Sequence, residues 1–473
     1  MLFNSLDYLF FLPLVVALYY LLPHRLRWML IFVSSCFFYM AFIPKYILVL
    51  FAIIGIDYTA AIWMEKLSGQ PRKRLLMVSL FANIGILAFF KYFGFANQTL
   101  IDFFALFGKE FKDYDLGIIL PIGLSFHTFQ SMSYTIEVYR GHQKAEKHLG
   151  YFANYVLFFP QMVAGPIERY ATLGEELRKK QTLNYQNLSA GFRLVLLGFV
   201  VKMVVADQLA PFVNQVYAAP TEYNQLQIFL ALVFFSLQIY ADFFGYSLIA
   251  QGSARLLGVH IMDNFKTPYF SASISEFWRR WHISLSSWFR DYLYIPLGGS
   301  KGGIWMKIRN TFIIFIVSGF WHGANWTYIT WGFINAIYFL PLLLSNSNRN
   351  NIDEIKLSFN TDSVKVIFNI LFTFFITCIA WVFFRAKTIT DAVSYLKRII
   401  FNGDFYSQYL DNERYNYEVL PMIAIFVLVE WNNRTKEEPL SGKRSMLRVI
   451  LALVAILAFG TYSDYKEFIY FQF

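Results

Sequence analysis

Charge is what this 473-residue chain lacks most: only 15% of it is Asp, Glu, Lys or Arg, where an ordinary soluble domain carries roughly 25%. That supply cannot cover a water-facing surface on so long a chain, which excludes an ordinary soluble enzyme or binding domain. There are two cysteines, Cys36 and Cys378, each inside an apolar run. They offer neither a disulfide framework nor metal-ligand spacing, and packing is their simplest role. No H-E-x-x-H, G-x-S-x-G or P-loop pattern occurs, so the common metalloprotease, serine-hydrolase and nucleotide-binding signatures are missing. No two histidines pair with acids at metal-ligand spacing, and no metal site is expected. Internal repeats, low-complexity tracts and soluble modules are absent too. The longest polar segments, Ser345–Ser363 and Phe401–Tyr417, are loop-sized.

What the chain has is apolar length. Hydrophobic residues make up 57% and aromatics 20%, with 53 phenylalanines. Crossing a bilayer takes about 20 mostly apolar residues, because each backbone N–H and C=O must be satisfied within the segment. Such runs are Phe10–Leu22, Met29–Phe42, Tyr46–Trp63, Leu75–Phe90, Gly117–Tyr134 and Leu194–Val205. Others are Ile228–Phe244, Asn310–Trp321, Thr327–Leu344, Val366–Phe384, Val419–Trp431 and Val449–Tyr462. The expectation is an all-α polytopic membrane protein with about 11–12 transmembrane helices, forming a single domain over 1–473.

The first run follows Met1–Leu9, which carries Asp7 and no Lys or Arg, and no small-residue cleavage site follows it. It reads as an uncleaved helix. The net charge of +10 fits cytoplasmic loops better than nucleic acid. Arg25 and Arg27, then Lys66 and Arg72–Arg74, then Arg140, Lys144 and Lys147 alternate with less basic gaps. The positive-inside rule then places the N-terminus outside the cell. Arg178–Lys180, Lys301–Arg309 and Arg434–Arg448 follow in the same sense.

Two stretches break the spanning pattern. Phe159-Pro-Gln-Met-Val-Ala-Gly-Pro-Ile-Glu-Arg169 interrupts an apolar region with two prolines, tolerable at membrane depth only under a cover of protein or beside a water-filled cavity. The other, Ser271–Gly303, is too charged to face lipid. Within it Ser273–Arg290 reads as a helix, with a Ser273/Glu276 capping box at its start and Pro296, Gly298 and Gly299 beyond its end. At about 100° per residue, Arg279, His282, Ser286 and Arg290 share one face and Trp281, Leu285 and Trp288 the other. Two readings are open at this point: an interfacial amphipathic helix with arginines on lipid phosphates, or a re-entrant helix whose arginines hold an anionic substrate in a polar tunnel.

His322 lies at the end of an apolar run in Ile316-Val-Ser-Gly-Phe-Trp-His-Gly-Ala-Asn325. Its neighbours Ser318, Gly319, Gly323 and Ala324 are small, leaving room at the imidazole. An ionisable side chain at membrane depth is a functional candidate by default, and imidazole suits general-base work on a hydroxyl. The bland alternative is a packed histidine bonded to a carbonyl. His127 is ambiguous between packing and lining the same cavity. His24, His142 and His148 sit among loop cations, and His260 lies in a short polar connection. Asp57, Asp207 and Asp242 lie in or beside apolar runs and suit helix caps or pairs with basic residues.

Phe277-Trp-Arg-Arg-Trp-His-Ile-Ser-Leu-Ser-Ser-Trp-Phe-Arg-Asp-Tyr-Leu-Tyr-Ile-Pro-Leu-Gly-Gly-Ser300 resembles the signature of the membrane-bound O-acyltransferases. It is most similar to the AlgI-like branch of alginate and exopolysaccharide O-acetyltransferases. Trp321-His322-Gly323 matches that family's catalytic histidine. Pro121–Phe126, Gln161–Arg169, Gln238–Tyr246 and the closing Phe468–Phe473 resemble the same branch; His127 departs from it, where an aromatic is expected. The resemblance implies helices, some re-entrant, around a central tunnel in which acyl donor and acceptor meet from opposite sides. It implies His322 and His282 as catalytic residues in a bacterial inner membrane.

The expected reaction is transfer of an acetyl group from a cytoplasmic thioester, acetyl-CoA, to an exopolysaccharide hydroxyl or to an extracytoplasmic SGNH-like acyltransferase. His322 would act as base and His282 would orient the donor, with Arg279, Arg290 and Ser286 as donor-binding residues. Alternatives are D-alanyl transfer to teichoic acid, as in the DltB-like branch, and a transporter or flippase. The missing repeats count against the last.

Overall fold

The structure, a computed structural model, describes residues 1–114, 116–163, 165–347, 361–401, 414–434, 440–462 and 468–469. Most of the two polar segments and most of the closing motif lie outside these residues. The secondary structure among the described residues is helical throughout. In chain order the helices are α1 Leu6–Leu21, α2 His24–Met40, α3 Ile47–Lys66, α4 Gly69–Ala105, α5 Leu124–Arg140, α6 Leu149–Leu157 and α7 Glu175–Arg178. There follow α8 Tyr185–Phe199, α9 Asp207–Ala218, α10 Gln225–Leu256, α11 Ile274–Arg280, α12 Ile283–Phe289 and α13 Gly303–His322. The last are α14 Trp326–Leu344, α15 Thr361–Arg385, α16 Ile389–Phe401, α17 Arg414–Asn433 and α18 Ser445–Phe459.

Seven helices among the described residues are long and apolar enough to cross a membrane, and three shorter apolar ones lie at Leu6–Leu21, Val419–Asn433 and Ser445–Phe459. Their outward faces carry large apolar side chains; Phe10 is 78% exposed and Leu457 75%. Water would penalise such a surface, and lipid does not. The chain is therefore an all-α polytopic membrane protein. Two expected runs read differently, Met29–Phe42 in α2 falling in neither group. Gly117–Tyr134 becomes a helix only at Leu124, past Pro121, and α5 buries Ser125, Thr128, Gln130, Ser131, Ser133 and Thr135 inside the protein. That polar content suits contact with neighbouring helices.

The chain divides into two compact units, one of Met1–Phe192 with Ala250–Met262, the other of Arg193–Ile249 with Asp263–Phe473. In the first, the broken Phe159–Arg169 segment is covered by protein as expected: Phe159, Val163 and Ile167 are all buried. Its freed backbone groups find side-chain partners. Ser35 Oγ accepts from Phe159 N at 3.1 Å. Tyr155 O accepts from Gln130 Nε2 at 2.6 Å and Gln161 Nε2 at 3.0 Å. His127 Nδ1 meets Val156 O at 2.7 Å, which gives this histidine a packing role. Asp57 is held by hydroxyl and amide donors; it accepts from Ser79 at 2.5 Å, from Asn83 at 2.8 Å and from Ser131.

The basic loops of this unit converge. Arg27 donates to Gln181 O at 2.6 Å, Arg72 to Val138 O at 2.8 Å, Lys147 to Glu65, and Arg178 Nε to Glu146 at 3.0 Å. One residue from each of four basic clusters is thus hydrogen-bonded within this unit.

In the second unit Asp207 and Asp242 pair with a basic residue, and it is the same one. Lys202 Nζ lies 2.8 Å from Asp207 and 2.6 Å from Asp242, with all three side chains almost fully buried. A cation at membrane depth needs such pairing. Asp242 also accepts from Ile469 N at 2.6 Å, tying the closing motif to α10.

Candidate active site

The candidate residues all fall in the second unit, and the local chain explains how they meet. The Ser273–Arg290 segment is not one helix. Ser273 caps α11 by accepting from Glu276 N at 3.2 Å, and Glu276 accepts in return from Ala272 N at 2.7 Å, one residue before the expected capping-box partner. The helix then stops. His282 has φ 45° and ψ 55°, the left-handed region, and α12 begins only at Ile283. A left-handed non-glycine residue is uncommon and costs about 1–2 kcal/mol, although histidine is one of the side chains that tolerates it best.

Bonds on both sides hold the kink in place. Trp281 N donates to Phe277 O at 2.9 Å and Ile283 N to Asn264 O at 2.9 Å, while Lys266 N donates to Arg280 O at 3.0 Å. Asn264 Oδ1 accepts from Ser284 at 2.6 Å, and its amide donates to Ser247 at 3.2 Å. Strained residues persist where surrounding structure over-determines them, and they gather at functional sites.

The kink does not scatter the expected face. Arg279, His282, Ser286 and Arg290 line one cavity of about 490 Å³, together with Ser318 and His322 from α13. That volume lies within the range of ligand sites. Trp281 and Leu285, expected on the opposite face, line it as well, because the turn at His282 rotates them relative to a straight helix. The interfacial reading required exposed aromatics. Trp281, Leu285 and Trp288 are buried instead, with Trp281 packed 5.1 Å from Phe265 and 5.0 Å from Trp381. The segment is a wall of a cavity inside the protein.

His282 is 1% exposed and His322 5%. The ring of Trp321 lies between their surroundings, 6.2 Å from the His282 imidazole and 4.9 Å from that of His322. Phe243 packs on His282 at 4.8 Å, and Trp331 and Phe384 pack edge-on to His322 at 5.2 and 5.3 Å. Aromatic walls of this kind fix each ring plane and keep bulk water out.

The arginines are placed differently. Arg279 reaches Ser275 Oγ at 2.8 Å, and Arg290 pairs with Asp291 at 2.8 Å with 63% of its side chain exposed. Both are exposed residues at the cavity rim. Ser286 Oγ donates to Trp281 O at 3.4 Å, across the kink.

The glycines beside His322 are small for the sake of packing. A Cβ on Gly319 would lie 2.2 Å from Tyr328 O, one on Gly323 2.1 Å from the Tyr328 ring, and one on Gly332 2.2 Å from Phe315 O. Gly319 and Gly332 let α13 and α14 approach backbone to backbone, as small residues do between membrane helices, and Gly323 makes room for the Tyr328 ring. Ser318 alone of the four faces the cavity. His127 is not among the residues lining it. Sequence reasoning missed the contributions of Trp278, Tyr294, Ser300 and Thr311; only the chain's return along α13 brings these to one place.

Residues 140–384 match the model of the membrane-bound O-acyltransferase family, a span that contains both histidines. A probable alginate O-acetylase AlgI of Pseudomonas putida is 33% identical over 508 aligned residues, covering 100% of both chains. The peptidoglycan O-acetyltransferase of Helicobacter pylori is 32% identical over 85% of this chain and 80% of its own. A teichoic acid D-alanyltransferase of Bacillus subtilis is 30% identical over 46% of this chain and 58% of its own. A multi-pass helical protein with two buried histidines on one cavity, matched over 140–384 by the family model and along its whole length by an alginate O-acetylase relative, belongs to the membrane-bound O-acyltransferase family and is an O-acyltransferase.

Proposed function

We propose that this enzyme moves an acetyl group from cytoplasmic acetyl-CoA to a hydroxyl across a bacterial inner membrane, on an exopolysaccharide or on an SGNH-like partner that acylates the polymer. The observation that carries the reading is the shared cavity. It joins His322, His282 and the rim arginines Arg279 and Arg290 in one space of about 490 Å³.

In this scheme His322 takes the proton of the acceptor hydroxyl as its oxygen attacks the thioester carbonyl. His282 orients that carbonyl and steadies the negative charge developing on its oxygen. The C–S bond breaks and the thiolate of CoA leaves, taking up a proton. Arg279 and Arg290, with Ser286, hold the anionic donor at the mouth. Arginine suits phosphate because it presents a fixed fork of donors.

Acetyl is favoured over D-alanyl because the O-acetylase relatives align over most or all of the chain, the D-alanyltransferases over less than half. The transporter reading has no observation of its own in its favour. The N-terminus is assigned outside the cell from the alternation of basic loops. In cells, His322→Ala should reduce polymer acetylation by at least about a hundredfold at equal protein level, the usual scale for losing a general base. Unaltered acetylation would remove His322 from the mechanism.

A further inference from the structure

His282 and His322 belong to different elements, one at the kink between α11 and α12, the other at the end of α13. The chain between them is long, so their separation is set by packing. Trp321 lies against both imidazoles, but it directly precedes His322 on the same helix and moves with it.

The residue that reaches both sides from a third element is Trp381, on α15. Its side chain is 1% exposed, and it is not among the residues lining the cavity of about 490 Å³. The indole lies 5.0 Å from Trp281, the residue that leads into the left-handed turn at His282. It lies 5.6 Å from Trp331 and 5.1 Å from Phe384, the two rings packed edge-on to His322. The Trp331 contact is nearly parallel, at 23°, and the Phe384 contact nearly perpendicular, at 89°. A stacked and a crossed neighbour together restrain both the tilt and the slide of the indole.

The indole serves here by its size. Its Nε1–H is buried and has no hydrogen-bond partner among the described residues, and a buried donor left unpaired is costly. Phenylalanine would fill much of the same place without that cost. A single ring is shorter, however, and would loosen its hold on Trp281 or on Trp331.

We infer that Trp381 is a positioning residue for acyl transfer. It sets the separation of the two histidines by bearing on Trp281 at one side and on Trp331 with Phe384 at the other. What that separation serves rests on the two-histidine mechanism proposed above; the wedge itself does not. A misplacement of about 1 Å at reacting groups costs on the order of a hundredfold in rate, so a loosened wedge shows in turnover before it shows in donor binding or stability.

The test uses the full chain in phosphatidylcholine nanodiscs and has two arms. In the first, kcat and KM for acetyl-CoA are measured with a saccharide acceptor, beside thermal melts, for wild type, Trp381→Phe, Trp281→Phe and the double variant. Trp381→Phe should melt close to wild type, keep KM within about twofold and lose about tenfold in kcat, the pattern of an interaction used only in the transition state. The double variant should be little slower than the slower single one, because both changes loosen the same contact. In the second arm no acyl donor is present. His282→Cys/His322→Cys is made in a Cys36→Ser/Cys378→Ser background, with and without Trp381→Phe, and the thiols are bridged with bifunctional thiosulfonates of graded length. With Trp381 in place one length should bridge best; with phenylalanine that preference should broaden. Wild-type turnover by Trp381→Phe, or an unchanged length preference, overturns the inference. So does a fall in kcat that comes only with a lower melting temperature and adds fully to that of Trp281→Phe. A wild type that forms no acetyl ester, with the bridging preference broadened as expected, would count against the proposed function alone.

Discussion

At the scale of single residues, His282 shows what a helical wheel can and cannot reveal. The wheel placed Arg279, His282, Ser286 and Arg290 together, and the structure has them on one cavity. It did so on the premise of an unbroken helix, which the left-handed backbone at His282 contradicts. Backbone handedness at one residue leaves little trace in side-chain periodicity. Glycine would have advertised it, and histidine does not. The strain makes a prediction that separates backbone from imidazole. His282→Gly and His282→Ala both remove the ring, but only alanine keeps a Cβ in the left-handed region. The glycine variant should therefore be more stable, by about 1 kcal/mol, in thermal melts in detergent. Equal melting, with acyl transfer lost in both, would mean that the kink stores no strain.

At the scale of elements, the α13–α14 hairpin was legible as two apolar runs; the structure adds its cap, Asn325 accepting from Thr327 N at 3.0 Å. The reason for its glycines was not. Gly319 and Gly323 read as space around an imidazole, yet a Cβ there would strike Tyr328. A sequence shows that a residue is small; only the packed partner shows what fills the space. Gly319→Ala and Gly332→Ala should each cost about 1–3 kcal/mol as overpacked contacts, and should lower activity by displacing His322. A melt and a transfer assay on the same preparations check this.

Among the loops, burial pushes the Glu146 carboxyl up, but the Tyr170 hydroxyl, the His148 amide and Arg178 together hold it below the usual carboxylate range. A depressed carboxylate contributes stability above its unfolded pKa and loses it as pH falls through the folded value. The wild type should therefore lose stability on acidification below about pH 4.5, the upper part of the carboxylate range. Glu146→Gln should melt lower at neutral pH and show less of that acid dependence. A parallel acid limb in both proteins would remove Glu146 as its source.

At the scale of the whole molecule, the class was plain from composition, because 15% charge and long apolar runs leave few alternatives. Side of insertion was read from Lys and Arg in loops. In a Cys36→Ser/Cys378→Ser background, a cysteine at Lys73 should react with a membrane-impermeant maleimide only in inverted vesicles. One at Lys387 should react only in right-side-out vesicles. The reverse pattern would invert the topology. What sequence could not supply was the meeting of segments far apart in the chain. Asn264 steadies the turn at His282, Phe384 closes His322 against Tyr328, and both positions were silent until folded. The central claim is that His322 drives acyl transfer from a thioester. Its most direct test is acetyl-CoA turnover by purified protein in nanodiscs with a saccharide acceptor, comparing wild type with His322→Ala and His322→Gln. The account predicts acetyl ester formed together with free CoA by the wild type, and at least about a hundredfold less from both variants. Ester formation at the wild-type rate by either variant would contradict it.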